Sequence, residues 1–482
     1  MVTNGNLAPL PVAVVGGGPI GLAAAAHLIG RGLPVRVYEA GPAVGTNIAE
    51  WAHVRTFSPW SCSVDGASER ILTGHGWTPP KAERIPTGGE LLRDYLLPLA
   101  QTPEMAAVIA TDSKITRINR LGLDKVTSKG LKAAPFVLTV AARDGTTRRE
   151  MARAVIDASG TWANQNPLGS EGYAAAGELE HRDRLAYGMP DVLVGERSTY
   201  AGKSVYVVGA GYSAANVLLD LARLAREEAE TSITWVVRGT NLIRVYGGEH
   251  ADQLPARGEL GADVKALVDS GQVTLNTGFR TIAVRSNASG AIMLEGETTA
   301  EGVSLLGPAD RVVVATGQRP DLSLTRELRL ELDPWLESAR ALGPLIDPNV
   351  HSCGSVPAHG HRELSHPEQG FYTIGVKSYG RAPTFLLLTG YEQARSVAAA
   401  IAGDIAAADD VRLILPETGV CSTRSADFEI TSRSEACCGG PAPSEVEACC
   451  RSDADAKAAG EEGCGCSPAI STPVRGCCGV AA

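Results

Sequence analysis

Residues 12–21 read VAVVGGGPIG, a short apolar run that ends in a cluster of glycines. Gly16, Gly18 and Gly21 have the spacing G-x-G-x-x-G, and the residues that follow, LAAAAHLIGRG, have the composition of a helix. In a strand–turn–helix unit, the first glycine permits the tight turn, the second lets the backbone approach a pyrophosphate, and the third lets the helix pack on the strand. The stretch therefore predicts a β-α-β unit that binds a dinucleotide at the N-terminus of its helix.

An acidic residue strengthens this interpretation. The next apolar run, LPVRVYEAG, places Glu39 at its end. A carboxylate at the end of the second strand can accept hydrogen bonds from both ribose hydroxyls. The glycine motif and Glu39 together predict an adenine dinucleotide, whereas the glycines alone would also fit a merely structural turn.

The same unit occurs a second time. The apolar run SVYVV (204–208) leads into Gly209, Gly211 and Ala214, with alanine as an accepted variant in the third position. A helical pattern, ANVLLDLARLAREEAE, and a further strand, TSITWVVRG, follow. The chain therefore contains two strand–turn–helix–strand units, which indicates two dinucleotide sites.

The second unit ends its second strand with a base instead of an acid. Arg238 follows Val236-Val237, and Arg244 is a second candidate for the same role. An arginine can pair with a 2′-phosphate, which a carboxylate would repel. We expect this unit to bind NADPH rather than NADH.

Two further strand ends, AVIDASG (154–160) and RVVVATG (311–317), complete a pattern that resembles the two-dinucleotide-binding flavoproteins. The resemblance implies an α/β fold with two Rossmann-like domains, in which the N-terminal domain binds FAD and an inserted domain binds NADPH. The implied organisation comprises a FAD-binding domain in two parts (10–198 and 311–416), an NAD(P)H-binding domain (199–310) and a flexible Cys-rich tail (417–482).

Cysteine positions separate the two main branches of that superfamily. Disulfide reductases need a redox pair beside the flavin, but residues 40–100 contain only Cys62 and residues 201–310 contain no cysteine. This counts against a standard disulfide reductase. It favours the class B flavin monooxygenases, in which reduced flavin activates O2 to oxidise a small-molecule substrate.

A partial motif points to the same branch. Gly177 and His181 keep the G-x-x-x-H spacing often found before the NADPH unit of these monooxygenases, although Ala175 and Leu185 replace the flanking aromatic residues. The chain also resembles, more closely, actinobacterial-type flavoproteins encoded near arsenic-resistance genes. The stretches that carry this resemblance are EWAHVRTFSPW (50–60), PTGGELLRDYLLPLA (86–100), KSYGRAPTFLLLTGYEQARSVAA (377–399) and the later VCSTRS and CCGG.

The resemblance also indicates where the flavin chemistry takes place. It implies a C-terminal helix whose N-terminus points at the flavin, opened by Thr384 after Pro383. Most relatives carry Gly-Asp before this helix, whereas this chain has Gly375-Val376-Lys377. His53 and Arg55 lie in the stretch that passes the flavin ring in relatives, and they are the candidate catalytic residues, with ordinary packing as the alternative.

Histidines cluster in a second region. His351, His359, His361 and His366 fall within sixteen residues, together with Cys353. Imidazole and thiolate both bind zinc and copper, but the spacing matches no zinc pattern. A metal site, a loop beside the substrate and a structural role all remain open.

The last sixty or so residues have a different composition. Nine of the eleven cysteines lie after residue 420, and residues 416–482 carry five basic and ten acidic side chains. With few bulky apolar residues, such a segment buries too little surface to offset its ordering entropy, so we expect a disordered tail. Thiolates favour soft ions, so eight of these cysteines are candidate ligands for a soft metal or for As(III). They are Cys437, Cys438, Cys449, Cys450, Cys464, Cys466, Cys477 and Cys478.

Three functions therefore remain in competition. The favoured one is an FAD- and NADPH-dependent monooxygenase with a role in arsenic resistance. One alternative is a reductase that relays electrons to the tail cysteines or to a bound metalloid, and the other is a thiol protein with a non-catalytic flavin body. Incidental thiols without a ligand are also compatible with the tail.

Charge and hydropathy limit the binding partners and the cellular compartment that we expect for this protein. The net charge of −10 argues against nucleic-acid binding through phosphate contacts. Residues 7–30 lack charged side chains other than His27 at low pH, but their glycines and the absence of a preceding basic residue argue against a membrane span or signal peptide. With an odd number of cysteines, this favours a cytoplasmic protein.

Overall fold

The apolar runs form short strands, and the structure, a computed structural model, describes residues 7–247, 252–298, 302–351, 356–413 and 415. In these ranges the strands are β1 (Val12–Val15), β2 (Val35–Tyr38), β3 (Ile109–Ala110), β4 (Ser113–Arg120), β5 (Phe136–Ala142), β6 (Thr147–Ala152), β7 (Ala154–Asp157), β8 (Leu185–Tyr187), β9 (Ser204–Val208), β10 (Ser232–Val236), β11 (Thr274–Asn276), β12 (Arg280–Ser286), β13 (Ile292–Thr298), β14 (Gly302–Ala309), β15 (Arg311–Val314) and β16 (Phe371–Thr373). The helices are α1 (Pro19–Ile29), α2 (Thr46–Ala49), α3 (Gly66–Gly74), α4 (Gly88–Leu91), α5 (Leu97–Gln101), α6 (Pro103–Ala106), α7 (Arg197–Tyr200), α8 (Tyr212–Glu227), α9 (Ile243–Tyr246), α10 (Pro255–Asp269), α11 (Gly343–Ile346), α12 (Leu387–Ala402) and α13 (Ile405–Asp409). None of the helices described is long and apolar enough to cross a bilayer.

The first parallel sheet has the strand order β16-β7-β1-β2-β3. Its central strand, β1, consists of four residues that are all buried, because both faces of a parallel sheet are covered. Since the strands are parallel, their carboxyl ends meet at one edge. We call this sheet, with the helices packed on it, the first unit.

The second parallel sheet has the order β11-β10-β9-β15-β8 and belongs to what we call the second unit. The expected domain boundaries place β8 and β15 in the FAD-binding domain, whereas both strands pair within this second sheet. The apolar strand β15 instead pairs with β9, with Val313 opposite Val207, and β8 pairs with β15 on its other side. The predicted α/β fold with two Rossmann-like units is confirmed.

Each parallel sheet is covered on one face by a three-stranded antiparallel sheet. Apolar residues of β4-β5-β6, among them Phe136 and Leu138, pack with Val15 of the first sheet. In the same way, Leu294 of β12-β13-β14 packs with Val208 of the second sheet. The two units are therefore alike in their layers as well as in their glycine turns.

Helix α1 lies between the first sheet and α12. Its alanine run, residues 23–26, is at most 1% exposed, and such small side chains let neighbouring elements approach closely. Gly390 of α12 lies against Ile20, where an added Cβ would be 2.5 Å from the Ile20 Cδ1 atom. This contact brings the beginning of α12 close to the beginning of α1, where the first glycine turn lies.

Candidate dinucleotide sites and the residues around them

The first glycine turn has the geometry that its sequence predicts. Gly16 follows β1 with φ +102°, and an added Cβ would lie 2.6 Å from the carbonyl oxygen of Ala158. At Gly21 an added Cβ would lie 2.0 Å from the carbonyl oxygen of Gly16. Beside Gly18, by contrast, an added Cβ would meet no atom within 4 Å, so space is open in front of the N-terminus of α1. This cradle fits a pyrophosphate.

Glu39 lies beside the same turn, directly after β2. Its carboxylate accepts hydrogen bonds from the backbone N–H groups of Gly17 (2.7 Å) and Gly41 (2.8 Å), and the residue is 9% exposed. A carboxylate has about four lone-pair positions, so two acceptor positions remain for a ribose. The backbone thus fixes the carboxylate in the place that the sequence predicts.

The second glycine turn repeats this arrangement. Gly209 has φ +137°, and an added Cβ would lie 2.2 Å from the carbonyl oxygen of Ala315. Gly211, like Gly18, faces open space, and α8 begins at the next residue with no side chain capping it. Ala214 is fully buried in the second unit, which shows that this helix has room for a methyl group at the third motif position.

Arg238 lies at the carboxyl edge of the second sheet, two residues beyond β10. Its side chain is exposed, so it can reach a 2′-phosphate at this edge. The side chain of Arg244 lies outside the described residues. The donor set of the second turn therefore fits NADPH.

A buried ion pair, which sequence reasoning did not find, lies at the carboxyl edge of the first sheet. Lys377 Nζ is 2.7 Å from Asp157 Oδ2, and both side chains are at most 2% exposed. The same ammonium group donates to Ser159 Oγ (3.0 Å). The charge of Lys377 is neutralised by Asp157, the last residue of β7. The two partners are 220 positions apart, and only the pairing of β7 with β16 brings them together.

Thr384 does not open the C-terminal helix, which corrects one expectation. Helix α12 begins at Leu387, and Leu386 before it is extended. The reason is packing: Ala382 and Leu386 are both buried in the core of the first unit, and extended backbone lets both side chains reach it. Thr384 is buried between them, and its Oγ1 has no hydrogen-bond partner. That hydroxyl can bond to a bound cofactor.

The two candidate catalytic residues lie in different surroundings. His53 is half-buried and lies near Asp220 of α8. Burial raises the pKa of the Asp220 carboxyl, and the charges of Arg223 and His53 offset part of that rise. Arg55 is exposed and donates to the carbonyl oxygen of Ile85 (3.0 Å). The structure thus places His53, but not Arg55, toward the second unit.

Phe57, which like His53 and Arg55 belongs to the stretch 50–60, contacts the start of the helix after the second glycine turn. The ring of Phe57 lies 5.1 Å from the ring of Tyr212, the first residue of α8. On another side, the guanidinium of Arg257 from α10 is 6.0 Å from the Phe57 ring, and Arg257 itself is held by a buried pair with Asp252 at 2.7 Å. The stretch 50–60 of the first unit therefore contacts the second unit at the start of its nucleotide helix.

The region of the G-x-x-x-H motif is organised by a residue that the motif does not include. Glu178 is 2% exposed and accepts hydrogen bonds from the backbone N–H groups of Leu168 (2.8 Å) and Ala175 (2.7 Å) and from the Tyr187 hydroxyl (2.6 Å). His181 Nδ1 donates to the carbonyl oxygen of Gly177 at 2.8 Å, which closes a turn. In this structure the motif anchors the start of β8 rather than presenting a reactive group.

The clustered histidines have separate partners. His359 is buried and contacts Gln393, His361 pairs with Asp409 at 2.8 Å, and the His366 ring packs on Phe371. No group of three or more potential metal ligands occurs in the described ranges. Cys353 and all eight candidate cysteines of the tail lie outside those ranges. Cys62, at the end of a 3₁₀ helix, is a free and partly buried thiol.

Family models match both units. A model described as an NAD(P)-binding Rossmann-like domain matches residues 14–75, and a model described as a pyridine nucleotide-disulphide oxidoreductase matches residues 82–356, more than half of the chain. No curated protein matches.

Solved structures with the same fold come from both branches of the superfamily. Bacillithiol disulfide reductase from Bacillus cereus is 18% identical with a TM-score of 0.60, and the match covers 82% of this chain and 99% of that one. The FAD-bound cadaverine monooxygenase of desferrioxamine biosynthesis from Erwinia amylovora is 12% identical with a TM-score of 0.57, covering 88% and 99%. At 18% and 12% sequence identity, the similarity to these structures shows that the fold is shared and nothing about the reaction. The extent of the family match shows that the chain belongs to the pyridine nucleotide-disulphide oxidoreductase family, as a flavin-dependent oxidoreductase whose cofactors are FAD and NADPH.

Proposed function

We propose that this enzyme is an NADPH-dependent flavin monooxygenase that oxidises a small molecule. The observation that carries the proposal is a pair of dinucleotide cradles on a chain whose residues 1–352 contain one cysteine, Cys62. A disulfide reductase would need two cysteines beside the flavin. The alternative of a thiol protein with a non-catalytic flavin body is set aside, because the family match identifies an enzyme.

The cofactors supply most of the chemistry, namely hydride transfer from NADPH to FAD and activation of O2 by the reduced flavin. The overall reaction balances when NADPH, H⁺, O2 and the substrate give NADP⁺, water and a substrate that has gained one oxygen atom. The protein's part is to bind, orient and exclude water.

The residues of the first unit hold FAD. The open N-terminus of α1 binds the pyrophosphate, Glu39 accepts the ribose hydroxyls, and the unpartnered hydroxyl of Thr384 bonds to the cofactor near α12. The Asp157–Lys377 pair keeps the ends of β7 and β16 in fixed positions below this cradle.

The residues of the second unit select and position NADPH. Arg238 pairs with the 2′-phosphate, and the open N-terminus of α8 binds the pyrophosphate. His53 and Arg55 are proposed to act near the reacting atoms, where an imidazole can exchange a proton near neutral pH and a guanidinium can stabilise negative charge.

A role in arsenic resistance is the more specific part of the proposal. It is supported by the resemblance of the stretches 50–60, 86–100 and 377–399 and by the thiophilic character of the tail cysteines, which suits As(III). Titrating arsenite into the full chain, and into a variant with all eight tail cysteines replaced by serine, tests the tail. If both proteins bind the same number of arsenite ions per chain, the proposed role of the tail in arsenic resistance is wrong, whereas the monooxygenase proposal is unaffected.

The rival reductase passes electrons to thiols instead of O2, and one experiment separates the two functions. The FAD-loaded protein is oxidised, mixed anaerobically with one equivalent of NADPH and assayed for free thiols, after which O2 is admitted and its uptake recorded. We expect flavin reduction with no new thiols, then uptake of about one O2 per NADPH, which is the stoichiometry of any two-electron oxidation of reduced flavin by O2, so the thiol assay is the measurement that separates the two functions. The appearance of two thiols per NADPH before O2 is admitted would identify a reductase, and the eight-serine variant shows whether the tail supplies them.

A further inference from the structure

A cavity of about 430 Å³ lies in the first unit, apart from the glycine turn. It is bounded by the C-terminal half of α1, the start of α3, one side of α12 and residues 412–413. His27, which lines it, is roughly 12 Å along the α1 axis from Pro19, at 1.5 Å per residue. The cavity therefore lies at the opposite end of α1 from the FAD cradle.

The floor of the cavity is a rigid polar network. His27 Nε2 is 2.9 Å from Asp65 Oδ1, and both side chains are less than one-tenth exposed. The other oxygen of Asp65 caps α3 by accepting from the N–H groups of Ala67 (2.9 Å) and Ser68 (2.8 Å). Beside it, the Tyr391 hydroxyl donates to the carbonyl oxygen of Ser63 (2.8 Å). The Asp65 carboxylate is thus already bound by three donors.

The rim carries arginines that are not neutralised. Of the four arginines that line the cavity, Arg395 is paired with Glu392. Arg412 is paired with Asp410. The guanidinium groups of Arg31 and Arg70 make no ion pair or hydrogen bond in the part of the chain that the structure describes. Two free guanidinium groups on one cavity are unusual for a chain with a net charge of −10, where acids outnumber bases.

The remaining wall is apolar. Val64, Leu388 and Leu413 contribute side chains that could cover the non-polar part of a ligand. The volume falls within the range of roughly 300–1,000 Å³ that is typical of small-molecule sites, which combine apolar walls with a few placed polar groups. Guanidinium groups match the geometry of phosphate and carboxylate in paired hydrogen bonds.

We propose that this cavity is a second ligand site, which binds a small organic anion with its phosphate or carboxylate group between Arg31 and Arg70 and its apolar part against Leu388. The site is independent of the dinucleotide turns and of the proposed oxygenation. A ligand here would contact α1 and α12, the two helices that also border the FAD cradle.

Calorimetric titration tests the proposal with phenyl phosphate as the probe. The protein is loaded with FAD and saturated with NADP⁺, so that both dinucleotide cradles are filled. We expect one phenyl phosphate per chain, weaker binding of inorganic phosphate, which lacks the apolar part, and no binding of phenol, which lacks the charge.

The variants assign the binding to the cavity. In Arg31→Gln/Arg70→Gln, the affinity for phenyl phosphate should fall by about tenfold or more, since two charge-assisted hydrogen bonds are lost. Arg143→Gln removes an exposed arginine on the β5–β6 hairpin and should leave the affinity unchanged, and FAD content confirms that each variant is folded. Absence of binding to the parent protein, or equal affinity in the parent and the double variant, would overturn the proposal.

Discussion

The two glycine turns perform the same structural task with different residues, and the differences show which features are general and which are selective. In both, the first glycine has a positive φ and lies against an alanine carbonyl, that of Ala158 for Gly16 and that of Ala315 for Gly209. Backbone and helix end form the same phosphate cradle twice. The residue that follows the next strand differs, a buried acid in the first unit and an exposed base in the second. In the proposed function, phosphate binding is thus assigned to the backbone, whereas the choice of nucleotide is assigned to a single side chain.

The largest expected effect on cofactor binding comes from the third motif position, where the space around the two turns differs most. In Gly21→Ala the new methyl group would lie 2.0 Å from a backbone oxygen, so α1 must move away from the turn. We expect overpacking of about 1–3 kcal/mol or more to weaken FAD binding by roughly tenfold to a hundredfold. The ratio of flavin absorbance to protein absorbance after purification measures it.

The matched control is Ala214→Gly in the second turn. Here the helix already accommodates a methyl group, so the change loses helix propensity and the packing of one buried methyl group, together about 1–2 kcal/mol of stability, and the KM for NADPH should change little. If Gly21→Ala retains its flavin as well as Ala214→Gly does, the two turns do not differ in the space around this position.

The largest expected effect on folding stability, as distinct from cofactor binding, concerns the ends of equivalent strands. The last residue of β7 is Asp157, paired with Lys377, whereas the last residue of β15 is Val314, which is apolar. Lys377→Met leaves a buried carboxylate without its partner and should lower the free energy of unfolding by about 3–5 kcal/mol. Thermal unfolding measures the loss.

A double variant tests the cause of that loss. Asp157→Val/Lys377→Met makes the end of β7 resemble the end of β15, and most of the lost stability should return, because replacing both members of a buried pair by apolar groups is often neutral. A double variant as unstable as Lys377→Met would show that the charge pair has a role that packing cannot replace.

A smaller effect is expected at the selective positions. Arg238→Gln removes the charge proposed to bind the 2′-phosphate, and a charge-assisted hydrogen bond contributes about 1.5–3 kcal/mol, so the KM for NADPH should rise by roughly tenfold or more while that for NADH stays the same. Steady-state kinetics with both nucleotides measures this. Glu39→Gln, at the corresponding place in the first unit, should lower the FAD content and leave the ratio of the two KM values alone. If the KM values for NADPH and NADH rise together in Arg238→Gln, then Arg238 does not select NADPH over NADH.

The smallest effect is a pH dependence on the equivalent faces of α1 and α8. When the two motifs are aligned, His27, paired with Asp65, corresponds to Asp220, which is near His53. Burial raises the pKa of Asp220, so the folded state favours the neutral acid and loses stability as pH rises from the ordinary carboxyl pKa, near 4, through the raised value. Asp220→Asn should therefore be more stable than the parent at pH 7, with a smaller difference at pH 4.

Melting temperatures at the two pH values measure this difference. Asp263→Asn, an exposed carboxyl on α10, serves as the control and should show the same pH dependence as the parent. Loss of stability at pH 7 in Asp220→Asn would mean that the contacts with Arg223 and His53 outweigh burial.

The sequence predicts the parts of this fold that depend on neighbours in the chain. The spacing of Gly16, Gly18 and Gly21 is local, and the turn it encodes forms within ten residues of β1, so pattern alone suffices. The position of Glu39 can also be predicted, because the end of the strand after the helix can be read from the sequence. The conformations of both turns therefore agree with expectation.

The parts that the sequence does not reveal depend on strand order or on distant burial. The Asp157–Lys377 pair requires knowing that β16 lies next to β7, and β8, three residues long, has too short a pattern to be assigned to a sheet. Pro383 predicts a helix start at Thr384, but the burial of Leu386 in the core delays the helix by three residues. The cavity beside Arg31 is formed by three elements that are far apart in the chain, so no local motif encodes it.

The contact between Phe57 and Tyr212 has a thermodynamic consequence. Phe57 belongs to the stretch that follows the FAD cradle, and Tyr212 is the first residue of α8, whose N-terminus faces the proposed NADPH site. A nucleotide that shifts Tyr212 changes the free energy of the segment on the flavin side, and by reciprocity FAD must alter the affinity for NADPH by the same factor as NADPH alters the affinity for FAD. The FAD and NADPH sites have separate motifs, but the binding of one cofactor is then thermodynamically coupled to the binding of the other.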